Sequence, residues 1–121
     1  MSYVAFVLSD ISRAKIIERF KPKFPDVIAH HVTHRMGVSN IVDTTNHIIA
    51  VYGYVKDDSL EALLVTVNGR STRPDGKKYH ITLSLDRSLG RKPVDSNKVI
   101  EQCEVIHTVP FIIFGTLQNC N

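Results

Sequence analysis

A three-residue pattern occurs twice in the chain, as His31-Val32-Thr33 within AHHVTHRMG and as His80-Ile81-Thr82 within KKYHITLSLD. Side chains alternate between the two faces of a β-strand, so in each copy the His and the Thr two residues on project from one side. An imidazole beside a hydroxyl suits acid/base chemistry at a phosphate. Two such pairs, 49 positions apart, would supply a neutral His to take a proton from the attacking oxygen and a protonated His to give one to the leaving oxygen. Thr33 and Thr82 would donate hydrogen bonds to the non-bridging oxygens. Histidine fills both roles because its ordinary pKa, about 6.5, keeps both protonation states accessible near neutrality. Such chemistry requires neither a metal nor a cofactor.

In the second copy Ile81, Leu83 and Leu85 make the opposite, core-facing side of the strand, and Ser84 extends the polar row of His80 and Thr82. The first copy reads as a strand from about Val27 to Met36. Parity sets Arg35 beside His31 and Thr33, where a guanidinium could bind phosphate. His34 points the other way with Val32, either in a structural role or against a substrate base. A metal site of His30, His31 and His34 is disfavoured, because a strand turns His31 away from the other two and no Asp or Glu lies close in sequence.

The elements that must position these residues follow from periodicity. Tyr3 to Leu8 reads as a central strand, after which Ser9 or Asp10 caps a helix with Ile11, Ala14, Ile17 and Phe20 at helical spacing; Pro22 stops it. Gly37 to Thr45 is polar and irregular. His47 to Lys56 and Leu60 to Val67 make a hairpin through Asp57, Asp58 and Ser59; a short helix over residues 59–64 is the rival, and the β-branched run LLVTV favours the strand. NGRSTRPDGKK, residues 68–78, is an exposed loop leading into the His80 strand. Seven of the 15 Lys and Arg residues fall between Arg70 and Lys92, flanking the second motif. Singly, Arg70, Arg73, Lys77 and Lys78 read as solvated; together they could draw a phosphate toward the site. Asp95 or Ser96 caps a short helix through about Cys103, and His107 to Leu117 closes the chain as an apolar strand broken at Gly115. Six strands and two helices, mostly in meander order, predict an α+β fold with antiparallel pairing.

The paired motifs resemble those of the two-histidine (2H) phosphoesterase superfamily, whose members carry two H-x-T or H-x-S motifs. VIAHHVT, YVAFVLSDISRAKI and RKPVDSNKVI look more specifically like its Swiss Army Knife RNA repair-like branch. The chain departs from that pattern after the first motif, where His34, Arg35 and Met36 precede Gly37 in place of an apolar residue and a nearby glycine. The resemblance implies a compact two-lobed arrangement of antiparallel sheets with a groove between them. It makes His31 and His80 catalytic, and together with the strand parity above it leaves Thr33, Thr82, Arg35 and Ser84 to bind phosphate. It further implies substrates that are nucleotides, cyclic nucleotides or RNA ends. The alternative is a non-catalytic module that sequesters nucleotide or RNA in the same groove.

Composition bounds these readings. A chain of 121 residues, 43% hydrophobic and 22% charged, reads as one domain spanning 1–121. A net charge of +3 is too weak by itself for duplex DNA binding but compatible with an anionic substrate. No apolar run nears the roughly 20 residues that cross a bilayer, and MSYVAFVLSD lacks a basic leader region, so the expected location is cytoplasmic, away from membranes. Cys103 and Cys120, without a CxxC, support neither a disulfide framework nor a zinc knuckle. Oligomeric state is not encoded in any of these patterns.

Overall fold

The computed structural model describes residues 2–37, 40 and 43–121. Residues 38, 39, 41 and 42, within the stretch expected to be irregular after Gly37, lie outside the described residues. Strand β1 is Tyr3–Leu8, and helix α1 is Asp10–Phe20. Ser9 caps the helix by accepting from the Ser12 N–H; Lys21 ends it in a left-handed conformation just before Pro22. The buried stripe of α1 differs from the expected one. Ile16 is buried and Ile17 and Phe20 pack on the core, while Ile11 is 73% exposed. The cause is Ser12, whose buried hydroxyl accepts the Phe114 N–H at 2.9 Å and so rotates the helix about its axis.

The expected single strand over Val27 to Met36 is in fact two, β2 (Asp26–Val27) and β3 (His31–Met36). Ala29 adopts a φ of 43° and bends the chain there. Before the bend, the Ile28 and Ala29 N–H groups donate to the carbonyls of Leu83 and Thr82. After it, the Leu8 N–H donates to the His30 carbonyl and β3 pairs with β1.

Strands β4 (His47–Lys56) and β5 (Leu60–Val67) form the expected hairpin. Its turn is held by Asp57, whose carboxylate accepts from the Ser59 and Leu60 N–H groups, and the rival helix over 59–64 does not form. Strand β6 (His80–Leu85), helix α2 (Ser96–Gln102) and strand β7 (Ile106–Cys120) complete the chain. Strand β7 runs through Gly115 without a break. A Cβ at that position would lie 2.9 Å from the Val7 carbonyl oxygen, so glycine is what lets β1 pack this closely.

Among the described residues the fold is α+β, with seven strands in one sheet ordered β2-β6-β5-β4-β7-β1-β3 and every pairing antiparallel. Instead of two separate sheets there is one, because β4 pairs with β7 and joins the two halves, while β2 and β3, at opposite ends of that order, are consecutive in the chain and draw the ends together. Phe6, Val32, Ile49, Leu63, Ile81 and Ile113 fill the larger core beneath α1. On the other face Leu60, Ala62, Leu64 and Leu85 pack against Val99 and Ile100 of α2. No helix among the described residues is long and apolar enough to cross a membrane.

Candidate active site

The register places the motif residues on one face. His80 pairs with Leu64 and Thr82 with Ala62, on the side covered by α2. His31 pairs with Val7, Thr33 with Ala5 and Met36 with Tyr3. With the sheet ends drawn together, β3 and β6 approach each other. A cavity of about 320 Å³ opens between them, lined by His31, Thr33, His80 and Thr82. Arg73 and Lys77 from the loop before β6 share its wall, and Asn97 of α2 completes one side.

Both motif strands carry a β-bulge directly after the motif Thr. In β3, Thr33 faces Ala5 and Arg35 faces Val4, leaving His34 as the extra residue. In β6, Thr82 faces Ala62 and Ser84 faces Glu61, leaving Leu83 as the extra residue. One inserted residue reverses the parity of everything beyond it. Arg35 therefore shares the face of Val4, and Met36 takes the cavity position expected for Arg35. Ser84 likewise lies away from the cavity, fully buried, with its hydroxyl donating to Glu61 and accepting from the Phe24 N–H. Neither Arg35 nor Ser84 is positioned to hold a ligand beside His31 and His80.

Arg73 is the residue that the sequence left among solvated loop cations. A tight hairpin, with the Arg73 N–H donating to the Lys77 carbonyl and the Gly76 N–H to the Arg73 carbonyl, folds its side chain inward. The residue is only 6% exposed, its guanidinium donates to Asp75 at 2.7 Å, and its buried Nε has no hydrogen-bond partner. Although paired with Asp75, the guanidinium lines the cavity, where its charge suits an anion.

The imidazoles are oriented by their neighbours. His80 Nδ1 lies 3.0 Å from the Lys78 carbonyl, which can only accept, so Nδ1 carries the proton and Nε2 is the free nitrogen. His31 Nδ1 meets His30 Nδ1 at 3.1 Å, and the Tyr3 ring tilts against His31 with centroids 5.2 Å apart. Burial, then the neighbouring His30 and His80, pulls the His31 pKa down to about 4. Burial also lowers that of His80, with Arg73 and Lys77 acting in the same direction and the Lys78 carbonyl opposing them. Thr82 Oγ lies 2.8 Å from the Ser96 hydroxyl and 3.3 Å from the Pro93 carbonyl, which fixes the loop and α2 against the site. Among the described residues no three His, Cys, Asp or Glu side chains are grouped to hold a metal ion.

These shifts make stability depend on pH in a definite direction. The unfolded chain protonates a histidine near pH 6.5, whereas folded His31 does so only near pH 4. In that window the unfolded state binds more protons, so stability is full above about 6.5 and declines as pH falls toward 4. His31→Asn is expected to flatten part of that decline, read from urea midpoints across the window.

No protein-family model, curated protein or solved structure matches this chain, so the cavity's own chemistry carries the functional reading.

Proposed function

We propose that the chain is a phosphodiesterase of the two-histidine (2H) phosphoesterase type, working without a metal on a nucleotide, cyclic nucleotide or RNA-end phosphodiester. One observation carries this reading: two H-x-T motifs distant in sequence line a single cavity beside a buried arginine. The cavity between β3 and β6 takes the part of the groove expected between two lobes. Of the two imidazoles, His31 is the one held neutral over the widest pH range, which suits it to take the proton from an attacking water. His80, whose imidazolium is supported by the Lys78 carbonyl, gives its proton to the leaving oxygen. The new bond joins the water oxygen to phosphorus, and the bond from phosphorus to the leaving oxygen breaks. Arg73, Lys77 and the Thr33 hydroxyl face the charge on the non-bridging oxygens, while Thr82, whose proton goes to the Pro93 carbonyl, holds α2 against the site.

The productive form has His31 neutral and His80 protonated. The pH profile of kcat/KM is therefore expected to be bell-shaped. Its acid limb lies near 4 and its alkaline limb below 6.5, placing the optimum on the acid side of the ordinary histidine pKa. An optimum well above neutrality would contradict the assignment.

The direct test is chromatographic: wild-type protein in excess EDTA, incubated with 2′,3′-cyclic mononucleotides, 2′,5′-oligoadenylate and cyclic dinucleotides. Cleavage of one class is the expected result. A second reading uses the same cavity without turnover, with Arg73 and Lys77 holding the phosphate of a sequestered nucleotide. Ligand recovered intact from heat-denatured protein would establish that sequestering role instead.

A further inference from the structure

The cavity that holds the two histidines lies at the small end of the range of ligand pockets, room for a phosphodiester and adjoining sugar. A larger one, of about 680 Å³, lies behind Arg73. It opens at the end of the larger core, under the loop of residues 68–74, and Arg73 lines both cavities. Phe6, His34 and Tyr79 form its floor, with Arg70 at the rim. The aromatic rings are mutually fixed. His34 Nδ1 lies 2.8 Å from the Tyr79 hydroxyl, their planes are 11° apart, and the Phe6 ring meets His34 edge-on at 5.1 Å. His34 is the extra residue of the β3 bulge, so the irregularity that keeps Arg35 out of the first cavity also presents His34 to the second.

We propose that this second cavity is a nucleobase subsite, and that the substrate is a phosphodiester with a nucleoside on at least one side, held with its phosphate at His31 and His80 and one base at His34 and Tyr79. The inference rests on the phosphodiesterase reading for the phosphate, but the base subsite stands on its own chemistry. A planar heteroaromatic ring suits a half-buried imidazole backed by a buried phenol and flanked by the exposed Arg70 guanidinium, since imidazole and guanidinium offer flat polarizable faces. A second phosphate is a poorer occupant, because the floor is aromatic. Arg73, which lines both cavities, places its guanidinium charge where base, sugar and phosphate would join. The cavity beside Lys77, Lys78 and Glu101 contains no aromatic ring and does not compete for this role.

Two measurements test the proposal. Adenosine, which has no phosphate, is titrated into isotope-labelled wild-type protein while backbone amide and imidazole resonances are followed. Perturbations are expected at His34, Tyr79 and residues 68–72, with His31 and His80 little affected. Second, kcat/KM is compared between adenylyl-adenosine and analogues carrying an abasic ribose on one side or the other. The preference for the full dinucleotide over one of the two analogues is expected to be about 10- to 100-fold, and His34→Ala and the exposed-rim Arg70→Ala are each expected to reduce it. Adenosine shifts confined to the first cavity, or absent altogether, would overturn the base subsite even if phosphodiester cleavage is found. Adenosine binding at His34 without any cleavage would instead remove the phosphodiesterase reading and leave the subsite standing.

Discussion

Replacing His80 with alanine is expected to lower kcat on the cleaved substrate by about 10²- to 10⁴-fold with little change in KM, a loss of about 3–5 kcal/mol of transition-state stabilisation. The size follows from the proposed role: the leaving oxygen departs as a poor anion unless a proton arrives with it. The substitution removes an imidazole that is 8% exposed, so its folding effect is checked separately from its chemical one by urea midpoint and amide spectrum. A substrate with a leaving group that needs no proton, such as a nitrophenolate ester, discriminates further. With it the variant is expected to recover most of the lost rate, whereas His31→Ala is not. Full activity of a folded His80→Ala protein would end the two-histidine mechanism.

The largest expected loss of stability belongs to Glu61. This carboxylate is fully buried yet accepts from the Tyr54 hydroxyl, the Ser84 hydroxyl and, at 2.7 Å, the Lys23 N–H. The Lys23 ammonium lies 3.6 Å away but is half-exposed, so water screens it and the three hydrogen bonds matter more. Together they tie the chain leaving α1 to β4, β5 and β6. Glu61→Ala strands those donors and is expected to cost about 3–5 kcal/mol, measured from urea unfolding. Ser84→Ala removes one of the donors and is expected to cost about 1–2 kcal/mol without altering turnover per folded molecule. A Ser84→Ala protein with wild-type stability and lost activity would return Ser84 to the phosphate.

Elements with a strong local pattern were legible in the chain. His47–Lys56, Leu60–Val67 and His80–Leu85 have the expected bounds because apolar and β-branched residues dominate each run. So were the four motif residues that share the cavity. Arg35 and Ser84 were misplaced for one reason: a bulge depends on how the neighbouring strand pairs, and parity counted along a single strand cannot register it. The bend at Ala29 was equally hidden, since alanine carries no turn signal and its left-handed conformation is imposed by pairing with β6 on one side and β1 on the other. Arg73 sat in a stretch without apolar residues, where burial is decided by the hairpin around Asp75.

The bend at Ala29 also decides how the site responds to change. Along the sheet, β3 and β6 are separated by four intervening strands, but along the chain residues 28–30 pass directly from bonds with β6, at Ile28 and Ala29, to a bond with β1 at His30. Those three residues act as a clasp, and the width of the gap between the two motif strands is set by their length, not by the sum of four strand spacings. Each residue inserted there would add up to about 3.3 Å of slack, comparable to the whole distance over which a proton is handed across a hydrogen bond. A change in the length of a loop at the far side of the sheet leaves that gap alone, while a change in this short fastener alters it directly.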